Sequence, residues 1–249
     1  MTRILVTNDD GVHSSGIIEL ADALRSLGEV ITIAPAQEMS ATSHSLTLTR
    51  PLRIDQLDEN RYAIDGTPTD CIALGLKKIL NDNYPDLVVS GINRGANLGD
   101  DTTYSGTVAG ALEGTIYGIP AIAMSLVTKS EFNFKYAAEF AVFAAKKVLQ
   151  EGLPPGTLLN INVPVGPIKG AMVTRQGRKA IATKIIESVD PRNRKYYWIG
   201  EDQSTWNVDD GTDYEAISKG LVSITPLRND LTDYRALEKI AHWHGVSHH

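Results

Sequence analysis

Asn8-Asp9-Asp10-Gly11 follows directly on the strand-like run Arg3 to Thr7. The carboxyl end of a first parallel strand is where open α/β sheets place their ligands. Two adjacent carboxylates repel each other there unless one holds its proton or a cation sits between them, and a hard divalent ion is the usual partner. Because Asn, Asp and Gly are all turn formers, a plain turn is the competing explanation of these four residues taken alone.

A second group runs from Ser90-Gly91-Ile92-Asn93-Arg94-Gly95-Ala96-Asn97 to Gly99-Asp100-Asp101 and on to Tyr104-Ser105-Gly106-Thr107 at the start of a helix. A loop so rich in Gly and Asn lets backbone come close to a ligand and leaves amide oxygens to coordinate it. Ser105, Gly106 and Thr107 bring hydroxyls and free peptide N–H groups to the positive end of that helix, an arrangement that attracts anions. An ordinary N-capping Ser on a surface loop explains those three residues equally well in isolation. Between Asp86 and Glu113 the carboxylates are Asp86, Asp100, Asp101 and Glu113, and Arg94 is the one cation. A phosphate dianion beside so much negative charge requires a bridging metal, so the two ligands imply each other. The donors are carboxylate, hydroxyl and amide oxygens, a set that selects Mg, Mn or Ca over structural Zn.

Other reactive side chains read as bystanders. Cys71 falls inside a helix and is expected to be packed, not nucleophilic. His13 and His44 flank the site as candidates to assist, whereas His242, His244, His248 and His249 gather at the chain end. Trp198, Trp206 and the Tyr196-Tyr197 pair read as packing residues of an arm. Neither a G-x-G-x-x-G after the first strand nor a G-x-x-x-x-G-K-[ST] occurs, so no dinucleotide fingerprint or P-loop is expected.

The elements that must position these groups alternate. Strands are expected at Arg3 to Thr7, Val30 to Ala34, Leu87 to Ser90, Ala121 to Met124 and Leu158 to Val163, with weaker ones near Leu52 and Tyr62. Helical spacing of apolar residues marks Gly16 to Leu27, a helix after Thr67-Pro68-Thr69 running to Leu80, Gly106 to Tyr117, and Phe134 to Leu149. This is the βαβ pattern of a mostly parallel sheet in a Rossmann-like three-layer α/β/α fold over about residues 1–165. The polar stretch Ala36 to Ser45 reads as a functional loop. From about 171 to 215 strands recur without a helix between them, which predicts an antiparallel hairpin arm. A strand at Leu221 to Thr225 and a helix from about Leu231 to His242 close a chain read as one α/β domain of 249 residues.

Composition narrows the function. With 24 Lys plus Arg against 30 Asp plus Glu, the formal charge is −6, which gives no footprint for duplex nucleic acid. No apolar run reaches the roughly 20 residues of a membrane span, and the N-terminal residues lack a signal peptide, so the expectation is a cytoplasmic protein without a membrane partner. One cysteine in the whole chain is consistent with a reducing compartment.

Taken in order, Ile4 to Gly11, Gly66 to Cys71, Ser90 to Asn93, Gly99 to Asp101, Tyr104 to Thr107, Tyr197 to Gly200 and Gly220 to Leu227 resemble the blocks of SurE, the survival protein E group of metal-dependent nucleotidases. The resemblance implies hydrolysis of nucleoside 5′- and 3′-monophosphates, with short polyphosphate as a further substrate. It implies one divalent ion per subunit, Mg or Mn, with Ca or Co as alternatives, held by Asp9, Asp10, Ser40 and Asn93, with the Asp pair catalytic. It places phosphate contacts on Asn97, Ser105, Gly106 and Thr107, and implies a homodimer or homotetramer built by exchange of the arm. Around Ser40 many relatives read Arg-Ser-Gly, where this chain reads Met39-Ser40-Ala41. Two other functions fit the residues less closely: a metal-dependent nucleoside hydrolase, whose denser Asp pattern is missing, and a nucleotide sensor without turnover.

Overall fold

The computed structural model describes every residue except 129, 131, 179–182, 202–207 and 245–249, so Trp206, His248 and His249 lie outside the described residues. In chain order the elements are β1 (Arg3–Thr7), α1 (Ser15–Leu24), β2 (Glu29–Pro35), β3 (Ile54–Asp58), β4 (Arg61–Ile64), α2 (Pro68–Leu74), β5 (Leu87–Arg94), α3 (Gly106–Ile116), β6 (Ala121–Val127), α4 (Lys135–Glu151) and β7 (Thr157–Pro164). They continue with β8 (Ala171–Val173), β9 (Thr183–Val189), β10 (Lys195–Glu201), α5 (Asp213–Ser218), β11 (Val222–Arg228) and α6 (Tyr234–Ile240).

Nine strands form one sheet in the order β3-β4-β2-β1-β5-β6-β7-β11-β8. From β4 to β7 all neighbours are parallel, while β3 and β11 join antiparallel to β4 and β7. Side chains alternate across the sheet. Ile4 and Val6 of β1 face a core shared with α1 and α4, and Leu5 faces the other, shared with α2 and α3 and containing Cys71. That division, with period two along each strand, gives the three-layer α/β/α architecture expected from the sequence. Cys71 is fully buried, and burial pushes its thiol well above the ordinary range.

Several boundaries differ from the sequence reading, each for a local reason. The helix expected to reach Leu27 ends at Leu24, and the Arg25, Ser26 and Leu27 amides close a turn on carbonyls of its last residues. The helix after Thr67 begins with a capping box in which the Thr67 hydroxyl and the Asp70 carboxylate serve each other's peptide N–H. It then widens into a π-helical turn over Gly75–Ile79. The last helix begins at Tyr234, where the Asp233 carboxylate accepts the Arg235 and Ala236 N–H groups, and passes after Ile240 into a 3₁₀ turn over Ala241–His244. Within the arm region, β8 pairs with β11 in the main sheet, and β9 and β10 form a separate two-stranded antiparallel hairpin. The hairpin leaves Ile185, Tyr197, Trp198 and Ile199 exposed. Among the described residues no helix is long and apolar enough to cross a membrane.

Candidate active site

Parallel pairing of β1 with β5, in register from Ile4–Leu87 to Thr7–Ser90, sets the turn after Thr7 beside the end of β5. The two stretches singled out in the sequence therefore meet. Helix α3 lies close above them, because a Cβ on Gly110 would stand 2.9 Å from the Ser90 hydroxyl.

Asp9 is the centre of the arrangement. It is 5% exposed, and its Oδ1 accepts the Thr107 hydroxyl at 2.5 Å. The Thr107 peptide N–H adds a second donor. Gly106 makes the approach possible: a Cβ there would lie 2.8 Å from Asp9 Cβ and 2.9 Å from Oδ2. Asp9 is thus pressed against the first turn of a helix whose N-cap is Ser105, with the Ser105 Oγ accepting the Val108 N–H at 3.1 Å. Asp10, half-buried, accepts the Arg94 peptide N–H at 3.2 Å. Burial is the main cause that pushes the Asp9 carboxyl up to about 6, aided by the charge of Asp10 and opposed by Thr107. Asp10 is also raised by burial, partly offset by the Arg94 N–H and guanidinium.

Asn8 anchors the turn by donating Nδ2 to the Gly11 carbonyl at 3.0 Å and to Ser14 Oγ at 2.8 Å. Its Oδ1 is buried without a hydrogen-bond partner. Asn93 donates Nδ2 to the Gly95 carbonyl at 3.1 Å, which leaves the amide oxygen as the atom for a ligand.

The loop after β2 is fastened over this floor by contacts along its length. Met39 N–H donates to the Asp9 carbonyl at 2.7 Å, and Ser43 N–H to the Tyr104 carbonyl at 3.1 Å. The Ser43 hydroxyl donates to the Thr103 carbonyl at 2.7 Å, His44 Nε2 meets Glu113 Oε2 at 2.6 Å, and Thr47 donates twice to Asp70. Ser40 itself is exposed, and its hydroxyl donates to Glu38 Oε1 at 2.6 Å. The loop is in place, but the Ser40 side chain is turned to Glu38. Ala41 holds φ at +55°, the left-handed region that favours glycine, so an Ala there is strained.

Asn97 is buried in an amide cluster. Its Nδ2 donates to Ser125 Oγ at 2.8 Å, its N–H to Asn162 Oδ1 at 2.8 Å, and its carbonyl accepts from Asn160 and Asn162 at 2.8 and 3.0 Å. The side-chain nitrogen is therefore committed to the fold.

Comparisons with known proteins bear on the chain as a whole. A profile of the family described as Survival protein SurE matches residues 4–183. A 5′-nucleotidase SurE from Pelobacter propionicus is 53% identical over 245 residues, 97% of this chain and 99% of that one. The chain belongs to the SurE family. A further 5′-nucleotidase SurE, from Syntrophotalea carbinolica, is 52% identical over 96% of each chain. The crystal structure of the SurE protein from Aquifex aeolicus matches with a TM-score of 0.88 and 46% identity, covering 97% of this chain and 99% of that one.

The SurE site can be tested for a divalent cation on its own donors. Asp9 and Asp10 are held side by side, both pushed up by burial, and neither is paired with a cationic side chain at salt-bridge distance among the described residues. Such carboxylates are relieved by a hard cation, and the Asn93 oxygen supplies a neutral donor of the right type. The residues fit the group. Sequence reasoning missed the Glu113–His44 pair, the Asn160 and Asn162 supports and the buried Asp213. Only Asp70 carried a local signal, the Thr-x-x-Asp capping pattern.

Proposed function

We propose that this chain is a divalent-metal-dependent phosphatase that hydrolyses nucleoside 5′-monophosphates to nucleoside and phosphate, with 3′-monophosphates and short polyphosphate as further substrates. The observation that carries the reading is Asp9, buried next to Asp10 and pressed onto the N-terminus of α3 through Gly106 and Thr107. Carboxylate and helix end meet there, and Asn93 directly precedes Arg94, whose N–H reaches Asp10, which suits a phosphate bridged to an acidic site. The relatives named 5′-nucleotidase SurE support the choice of ester.

Asp9, Asp10, Asn93 and, after rotation away from Glu38, Ser40 would hold one divalent ion, Mg or Mn, with Ca or Co as alternatives. When bound, that ion supplies Lewis-acid polarisation and a water of lowered pKa. Thr107 keeps the Asp9 carboxylate in its rotamer with one hydroxyl and one peptide N–H. With Thr107 so occupied, the Ser105 O–H and the Gly106 N–H are the donors left for phosphoryl oxygens, where negative charge at a helix N-terminus is stabilised. Asn97 contributes by shaping the loop, with its carbonyl oxygen of the side chain available to the site. Asp9 or Asp10 orients or deprotonates the attacking water. A cytoplasmic location and a homodimer or homotetramer joined through the exposed hairpin complete the reading.

The test is product analysis with adenosine 5′-monophosphate, Mg or Mn present, followed by EDTA. Adenosine plus phosphate, halted by EDTA and restored by metal, is the expected result. Adenine plus ribose 5-phosphate would replace the reading with nucleoside hydrolysis, and binding without any product would replace it with a sensor.

A further inference from the structure

Away from the Asp pair, Asp213, on the first turn of α5, is a fully buried acid that accepts several peptide N–H groups. It is 0% exposed. Its Oδ2 accepts the Gly99 N–H at 2.8 Å, and its Oδ1 accepts those of Gly177 and Tyr214 at 2.9 Å each. Burial raises its carboxyl and these three donors oppose the shift. The first donor belongs to the loop between Asn97 and Thr103; the second belongs to the root of the hairpin arm. One carboxylate therefore joins two segments that are remote in sequence.

The neighbouring ring repeats the connection. A Cβ on Gly99 would lie 2.6 Å from Tyr214 Cε2 and from its hydroxyl, and a Cβ on Gly177 would lie 2.7 Å from Asp213 Oδ1 and overlap the Tyr214 ring. Tyr214 thus fills the space that two glycines leave, and its hydroxyl donates to the Leu98 carbonyl at 3.2 Å. From the arm side, Gln176 Nε2 donates to the Gly99 carbonyl at 2.9 Å and to Thr102 Oγ1 at 3.2 Å. Both peptide groups of Gly99 are held by this bracket, while Asn97, two residues earlier, is held by the amides of β7.

We infer that Asp213 is a positioning residue for the loop from Asn97 to Thr103, and that it locks this loop to the root of the hairpin arm so that substrate at one and displacement of the other are coupled. The inference rests on the nucleotidase reading, which puts the loop against the substrate. A loop held from both sides fixes where the chain enters Ser105 and Gly106, which carry the donors for the phosphoryl group, and small displacements there are costly to turnover. The hairpin presents exposed apolar side chains, so whatever seats it acts on the loop through Gly177 and Gln176.

The experiment uses the full chain with Mn and inorganic phosphate as the probe, followed by hydrogen exchange at the Gly99 and Gly177 amides. In wild type, phosphate slows exchange at both amides by about tenfold, since they share one acceptor. Asp213→Asn keeps the shape but replaces one acceptor oxygen by an NH₂ group; phosphate then slows Gly99 alone. The same variant raises KM for adenosine 5′-monophosphate about tenfold, lowers kcat less than about threefold and leaves Mn affinity unchanged. Should that variant fail to fold, Gln176→Leu removes only the arm-side bonds to Gly99 and Thr102, and raises KM about threefold. Gly177 exchange indifferent to phosphate in wild type, or wild-type KM in both variants of an active enzyme, overturns the inference. A wild-type protein that releases no phosphate overturns the nucleotidase reading itself, and this inference with it.

Discussion

Asp9 and Asp213 are both buried, both flank the loops at the carboxyl ends of the sheet, and both are raised by burial. They differ in what fills their lone pairs. Asp213 accepts three peptide N–H groups and has become part of the chain's framework. From outside its own residue Asp9 receives donors from Thr107, has Asp10 as a like-charged neighbour and stands against Gly106. A buried carboxylate with its acceptors satisfied fixes structure, whereas one left short of donors beside another carboxylate is a place for a cation. The contrast separates the groups that do chemistry here from those that hold them in place.

The largest difference expected between the two acids is in turnover. Asp9→Asn should lower kcat by about a thousandfold or more, against the far smaller kcat change expected for Asp213→Asn, with circular dichroism showing both folded. Comparable losses in the two variants would erase the distinction.

Next in size is Gly106→Ala, whose added methyl would stand 2.9 Å from Asp9 Oδ2. Displacing that carboxylate should cost about a hundredfold in kcat/KM, while the thermal midpoint changes little. Activity equal to wild type would show that the close approach to the helix is incidental.

The pH dependence follows from the same carboxyl. Folded Asp9 titrates at about 6, above its ordinary 3.8. Below about 6 the proton competes with metal, and apparent Mn affinity should fall about tenfold per pH unit. In metal-free protein the sign reverses for stability. The unfolded state ionises first as pH rises through 3.8, the folded state only near 6, so stability is lost across that window and the loss amounts to about 3 kcal/mol at neutral pH. In EDTA, wild type should therefore gain about 1 kcal/mol relative to Asp9→Asn on going from pH 7 to pH 5. Parallel stability curves for the two proteins would contradict the placement of this carboxyl.

The smallest effect belongs to Ser40→Ala. Because its hydroxyl is exposed and turned to Glu38, its loss should weaken Mn binding only several-fold in a metal titration. A loss as large as that of Asp9→Asn would make the loop an equal partner of the floor.

What the sequence made legible divides along the same line. Asp9, Asp10, Asn93 and Ser105 to Thr107 announce themselves because each lies at a strand end or helix start that local spacing defines. Their supports do not. Glu113 and His44 are 69 residues apart, Asp213 and Gly99 are 114 apart, and Asn160 and Asn97 are 63 apart. No periodicity links such pairs; only the strand order brings them together. Helix α5, which carries Asp213, is six residues long, too short for its apolar spacing to register. Thr107 was legible as part of an anion site, but its hydroxyl serves Asp9, a choice that depends on how closely α3 approaches β1. The last helix starts later than Leu231: Asp233 caps it, and Leu231 before the cap is exposed.

The most direct measurement is a titration of metal-free wild type and Asp9→Asn with Mn, followed by the spectroscopic signal of free Mn, with and without inorganic phosphate. The account predicts one Mn per wild-type chain, bound more tightly when phosphate is present, and no such site in the variant. Equal Mn binding by the two proteins would contradict it.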